Sequence, residues 1–143
     1  MSGEATFASL GEAASAPYRP VGRFAWQFAR GKLLGDPVFR YLLQGRLIPE
    51  GARVLDLGCG QGLLTGLIAA AGRPRIASYR GIEMMARDVA RAHKALGAGC
   101  GVELGDIRRA AFGATTLGLA AALATDVRPE ALASAPSVAR CPL

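Results

Sequence analysis

Three carboxylates and one run of glycines carry the chemistry that can be read in this chain. Val54-Leu55-Asp56-Leu57 is a short apolar run broken by one acid, and it leads into Gly58-Cys59-Gly60-Gln61-Gly62 and then leucines at helical spacing. That pattern predicts a strand, a tight loop and a helix. Alternating glycines free the loop to take unusual dihedrals and let a ligand approach the backbone. The helix starting near Leu63 would turn its free N–H groups and positive dipole end toward that ligand. A dinucleotide fingerprint, G-x-G-x-x-G, would need its third glycine at position 63, where Leu63 stands. The Asp56 carboxylate repels a pyrophosphate and suits a ligand bearing positive charge. An NAD(P)-dependent oxidoreductase is therefore the lesser alternative. Glu83 and Asp106 close the next two predicted strands, and an acid in the position of Glu83 can accept both hydroxyls of a ribose.

The run Asp56-x-Gly58-x-Gly60-x-Gly62 resembles the first motif of the class I S-adenosylmethionine-dependent methyltransferases, and the resemblance spans about residues 49–112. It implies a Rossmann-like α/β fold with a partly parallel sheet. It also implies that Asp56, Gly58, Cys59, Gly60 and Gly62 hold the methionine end of S-adenosyl-L-methionine, and that Glu83 takes the ribose. Met84 would contact one face of the adenine, Asp106 would accept from its amino group, and the N–H of Ile107 would meet a ring nitrogen. The implied reaction is methyl transfer to an acceptor, taken here as a small molecule. No catalytic base can be assigned, because the family draws it from elements that this sequence does not display. The alternative within the resemblance is a non-catalytic S-adenosylmethionine-binding remnant of an interrupted methyltransferase gene.

The elements that must position these residues follow from periodicity and capping. Residues 1–20 are small, polar and punctuated by proline, and are expected to be disordered or loosely docked. Residues 21–48 predict a helical cap. Phe24, Phe28, Lys32 and Leu33 recur at helical spacing, and Asp36-Pro37 caps a second helix with Val38, Tyr41 and Leu42 as its apolar stripe before Gly45. By the resemblance, this cap lies over the cofactor cleft, with Tyr18, Arg23, Phe24 and Trp26 lining an acceptor pocket.

Residues 49–112 form the Rossmann-like half. A helix carries Leu63, Leu64, Leu67, Ile68 and Ala71 and ends at Gly72. A second strand covers 76–83, a helix covers 85–96 with Met85, Val89, Ala92 and Leu96 inward, and Val102-Glu103-Leu104 alternates as a third strand. Right-handed crossovers predict parallel pairing. His93 has no acid three or four residues away and is not read as a base.

The strand–helix pattern stops after Phe112. Residues 113–143 are rich in alanine, glycine and proline and read as a tail foreign to the family, as a frameshift near Gly113 would produce. A seven-strand methyltransferase sheet needs roughly 200 residues, against 143 here. The C-terminal half of the fold is thus expected to be incomplete, with the 54–57 strand left as an edge that invites self-association. The formal net charge is +6 and the pI about 9.9. The arginines are scattered rather than clustered, which fits a solvated surface better than a nucleic-acid groove. Three cysteines without a C-x-x-C pair and a single histidine argue against zinc and for reduced thiols. Without a signal peptide or a long apolar run, a cytoplasmic protein with no membrane partner is expected.

Overall fold

In the computed structural model, which describes residues 6–109, the chain runs through three helices, then a parallel sheet with crossover helices. The helices are α1 (Phe7–Ser15), α2 (Arg23–Gly35) and α3 (Pro37–Gln44), with a 3₁₀ segment, Ala16–Val21, between the first two. Then come β1 (Arg53–Leu57), α4 (Leu63–Ala71), β2 (Ser78–Glu83), α5 (Ala86–Leu96) and β3 (Val102–Leu104). Strand order is β1-β2-β3, with both pairs parallel. This is the α/β, Rossmann-like arrangement of N-terminal helices followed by a partly parallel sheet. Among the described residues, β1 is one edge of the sheet. The tail expected over 113–143 lies outside the described residues.

The register places the carboxyl ends of all three strands at one edge. Leu57 pairs with Ile82, and Glu83 pairs with Leu104. Residues that follow these strands therefore lie at the same sheet edge as the glycine loop, the edge at which open parallel sheets generally bind ligands.

The N-terminal segment corrects the expectation for residues 1–20, because from Thr6 onward it is ordered and packed. The Thr6 hydroxyl accepts from the Ser9 N–H at 3.2 Å and caps α1. Phe7, Ala14 and Tyr18 are buried in the main core with Leu33, Leu64 and Leu67. Composition concealed this, since a helix built on alanine, serine and glycine can pack closely without a strong apolar stripe. Gly11, for instance, leaves the space that the Leu34 side chain fills.

The buried face of α2 is also not the one the aromatic spacing suggests. Ala25, Ala29 and Leu33, four apart, face the core, while Phe24 and Phe28 stack on each other outside, centroids 6.2 Å apart. In α3, Phe39 and Leu42 are buried and Val38 and Tyr41 are exposed. Its cap is as expected: Asp36 Oδ1 accepts from the Val38 N–H at 3.1 Å, with Pro37 opening the helix. Asp36→Ala is expected to cost about 1 kcal/mol, the usual worth of a side-chain N-cap, seen as a lower urea midpoint with an unchanged slope.

β2 begins at Ser78 rather than 76, and α5 begins at Ala86, with Met85 as its exposed N-cap. No helix among the described residues is long and apolar enough to cross a membrane.

Candidate functional site

The glycine loop takes the conformation that its spacing requires. Gly58, Gly60 and Gly62 have φ of 73°, 55° and 77°, a region that costs a side-chain-bearing residue roughly 1–2 kcal/mol. The loop folds back over β2, whose Ile82 carbonyl accepts from Gly58 N–H at 2.8 Å and from Cys59 N–H at 3.3 Å. Gly62 lies so close to α5 and β3 that a Cβ there would sit 3.1 Å from Val102 Cγ2 and 3.3 Å from Leu96 Cδ1. This glycine is needed for its dihedral and for its lack of bulk.

Glu83 is the junction of the site. One carboxylate oxygen accepts from Gly60 N–H at 2.9 Å, and the other accepts from Met85 N–H at 2.8 Å. The side chain thus ties the loop after β1 to the start of α5, and it is 9% exposed. Each oxygen retains lone pairs that can accept further hydrogen bonds. Met84, beside it, is 63% exposed at the same edge.

Asp56 sits deeper than its position at a strand end suggests, at 1% exposure. Its Oδ2 accepts from the Tyr79 hydroxyl at 2.8 Å, while Oδ1 is buried with no hydrogen-bond partner among the described residues. Burial pushes its carboxyl up from 3.8 to about 6, aided by the nearby Glu83 charge and opposed by the Tyr79 bond. Gly81, paired with Asp56 across the strands, makes the room: a Cβ there would lie 2.7 Å from Cys59 Sγ and 2.8 Å from the Tyr79 hydroxyl oxygen. Cys59 is buried, and burial with the Asp56 and Glu83 charges pushes its thiol well above the usual range. It therefore packs as a thiol and has no character as a nucleophile.

Asp106 and Ile107 follow β3 at the same edge, and both are half-buried. The Asp106 carboxylate is gripped by Arg108, with contacts of 2.6 Å to Nη2 and 2.9 Å to Nε. That guanidinium holds its carboxyl down at about 2. No hydrogen bond among the described residues joins Asp106 to the glycine loop, so the structure brings Asp56, Glu83 and the loop into one network and leaves Asp106 beside it.

Of the four residues proposed to line a pocket, Tyr18 is wholly buried and hydrogen-bonds to the loop, and Arg23 and Phe24 are exposed. Trp26 is half-buried under the Arg19 guanidinium, its ring nitrogen without a partner among the described residues. His93 accepts no catalytic reading, since its Nε2 lies 2.7 Å from the Val102 carbonyl and so donates to it, tying α5 to β3.

Two residues of the network escaped the sequence reading. Tyr79 could have been found from the parallel register, which puts it on the Asp56 side of β2 two residues from Gly81. Gln61 carries a side-chain amide that is 1% exposed, with both polar atoms unpartnered among the described residues. Its only local signal is a polar side chain between two glycines.

The arrangement offers a preshaped backbone loop, a buried acid poised near neutrality and a second acid with accepting capacity. It is suited to holding a ligand that combines hydroxyls with positive charge. Neither curated proteins nor solved structures give a match to the chain. Residues 38–111, just over half of it, match the family model described as methionine biosynthesis protein MetW. That stretch runs from α3 through all three strands and contains every residue of the network just described except Tyr18, and the chain therefore belongs to the MetW family, a methyltransferase-like family.

Proposed function

We propose that this chain is a class I S-adenosylmethionine-dependent methyltransferase, with residues 49–112 as its cofactor-binding half. The observation that carries the reading is the Glu83 carboxylate at the end of β2 reaching the glycine loop at Gly60. The closeness of Glu83 to the loop supports reading the one as the ribose acid and the other as the methionine loop. The buried, unpartnered Asp56 Oδ1 and Gln61 amide fit the same reading. Polar groups enclosed without partners are costly and are retained where something else repays the cost.

Asp56 and the loop residues Gly58, Cys59, Gly60 and Gly62 would hold the methionine end. Glu83 would accept from the ribose hydroxyls, and the exposed Met84 would offer apolar surface to the adenine. Asp106, with Ile107 beside it, would serve the adenine edge once its carboxylate shares or releases Arg108. When bound, the cofactor supplies an already activated methyl group. The task of the protein is then to orient the partners and exclude water. The positive charge of the ligand is met by Asp56, whose carboxyl, raised to about 6, is largely ionised at neutral pH. The acceptor is proposed to be a small molecule.

Calorimetry with S-adenosylhomocysteine tests this directly. Binding at a one-to-one ratio, with NAD giving no heat, is the expected outcome. The absence of binding would overturn the reading. Binding without methyl transfer to any acceptor would reduce the chain to a cofactor-binding module.

A further inference from the structure

We infer that Tyr18 is a positioning residue that fastens the glycine loop to the N-terminal helical region. This deepens the proposed cofactor reading and rests on it for its affinity arm. The Tyr18 hydroxyl donates to the backbone carbonyl of Gln61 at 2.6 Å, a buried bond between residues 43 apart in sequence. Gln61 lies between Gly60 and Gly62, two of the three left-handed glycines of the loop, which lack the Cβ that restricts other residues. Its own side chain has no hydrogen-bond partner among the described residues, so it does not anchor the loop. The start of the loop is held by the Ile82 carbonyl at the Gly58 and Cys59 N–H groups, and its middle by Glu83 at Gly60 N–H and by Tyr18 at the Gln61 carbonyl.

The anchor itself is stiff. Tyr18 is fully buried in a 3₁₀ segment with Pro17 before it and Pro20 after it, and proline fixes φ. That segment packs against α5, the helix whose start Glu83 also grips. Burial raises the phenol well above its ordinary range, so the hydroxyl remains a donor at every pH at which the protein is handled. A loop held in this way needs no ordering when a ligand arrives, and preorganisation of that kind raises affinity without adding a contact.

Tyr18→Phe keeps the ring and removes the donor. In the ligand-free protein, amide exchange over Gly60–Leu63 is expected to quicken about tenfold, the factor that one buried neutral hydrogen bond is worth. S-adenosylhomocysteine is expected to bind about tenfold more weakly by the same measure. Asp36→Ala serves as the control, because it destabilises the cap without touching the loop and should leave both readouts unchanged. Unchanged loop exchange in Tyr18→Phe, or equal acceleration in Asp36→Ala, would overturn the inference. If the unaltered protein binds no S-adenosylhomocysteine, the cofactor reading fails while the exchange arm still decides the role of Tyr18. If Tyr18→Phe does not fold, the test passes to the unaltered protein. A slowly exchanging Tyr18 hydroxyl proton close to the Gly62 amide supports the anchor, and a rapidly exchanging one refutes it.

Discussion

Glu83→Gln is expected to weaken binding of S-adenosylhomocysteine about a hundredfold and to destabilise the fold at the same time. The two effects have one origin. In the native chain both carboxylate oxygens accept from backbone N–H groups, one from Gly60 and one from Met85. An amide has a single accepting oxygen, so one of those N–H groups would face a donating NH₂ instead. Losing a buried hydrogen bond to a charged acceptor costs about 1.5–3 kcal/mol, and the opposed donors add to it. The native-state loss is therefore about 3 kcal/mol, measured as a lower urea midpoint. On the proposed reading the ribose hydroxyls lose the same charged acceptor, which at about 1.4 kcal/mol per tenfold gives the two decades in affinity. If the variant unfolds earlier yet binds the ligand as tightly as the native chain, Glu83 belongs to the framework and not to the cofactor site.

The second large effect concerns pH and Asp56. Folding raises the carboxyl from 3.8 to about 6, so the folded state holds its proton where the unfolded chain has already lost it. Below both values the group contributes nothing. As pH rises through this window stability falls, and above it the full penalty of about 3 kcal/mol applies, at 1.36 kcal/mol per unit of separation.

Asp56→Asn removes the titration while keeping an oxygen for the Tyr79 hydroxyl. The stability of the variant relative to the native chain is therefore expected to shift in its favour by about 2.4 kcal/mol between about pH 4 and about pH 7.5, the rest of the penalty having been incurred below pH 4 as the unfolded carboxyl ionises. Urea midpoints at those two pH values check this, and parallel profiles would show that Asp56 does not titrate in a buried site. Retaining an acid that costs this much is a reason to assign it a ligand. Native affinity for S-adenosylmethionine is accordingly expected to rise from about pH 5.5 to about pH 7.5 as Asp56 ionises, and that of Asp56→Asn is expected to stay flat.

The two predictions differ in how far ahead of the structure they could be made. The importance of Glu83 follows from its place at the end of a predicted strand after a glycine loop. Its two backbone partners do not, because they join residues brought together only by parallel pairing. The pH response of Asp56 depends wholly on packing, since a strand-end acid is ordinarily expected in water. Tyr79 and Gly81 enclose it, and the register of β1 on β2 is what delivers them.

What the chain spells out locally is considerable: the strand–loop–helix around Gly58, Gly60 and Gly62, the cap at Asp36, the end of α4 at Gly72 and the three residues of β3. Each of these depends on dihedral preference, a cap or a period, and such effects act between residues a few positions apart. Tertiary structure alone decided that Thr6 onward is packed, that Ala25, Ala29 and Leu33 face inward while Phe24 and Phe28 stay out, and that Tyr18 reaches Gln61. Those outcomes turn on which surfaces fit together across long separations. Ala25, Ala29 and Leu33 are the buried face of α2, which packs on α1, and no periodicity in the sequence records the shape of the neighbouring helix.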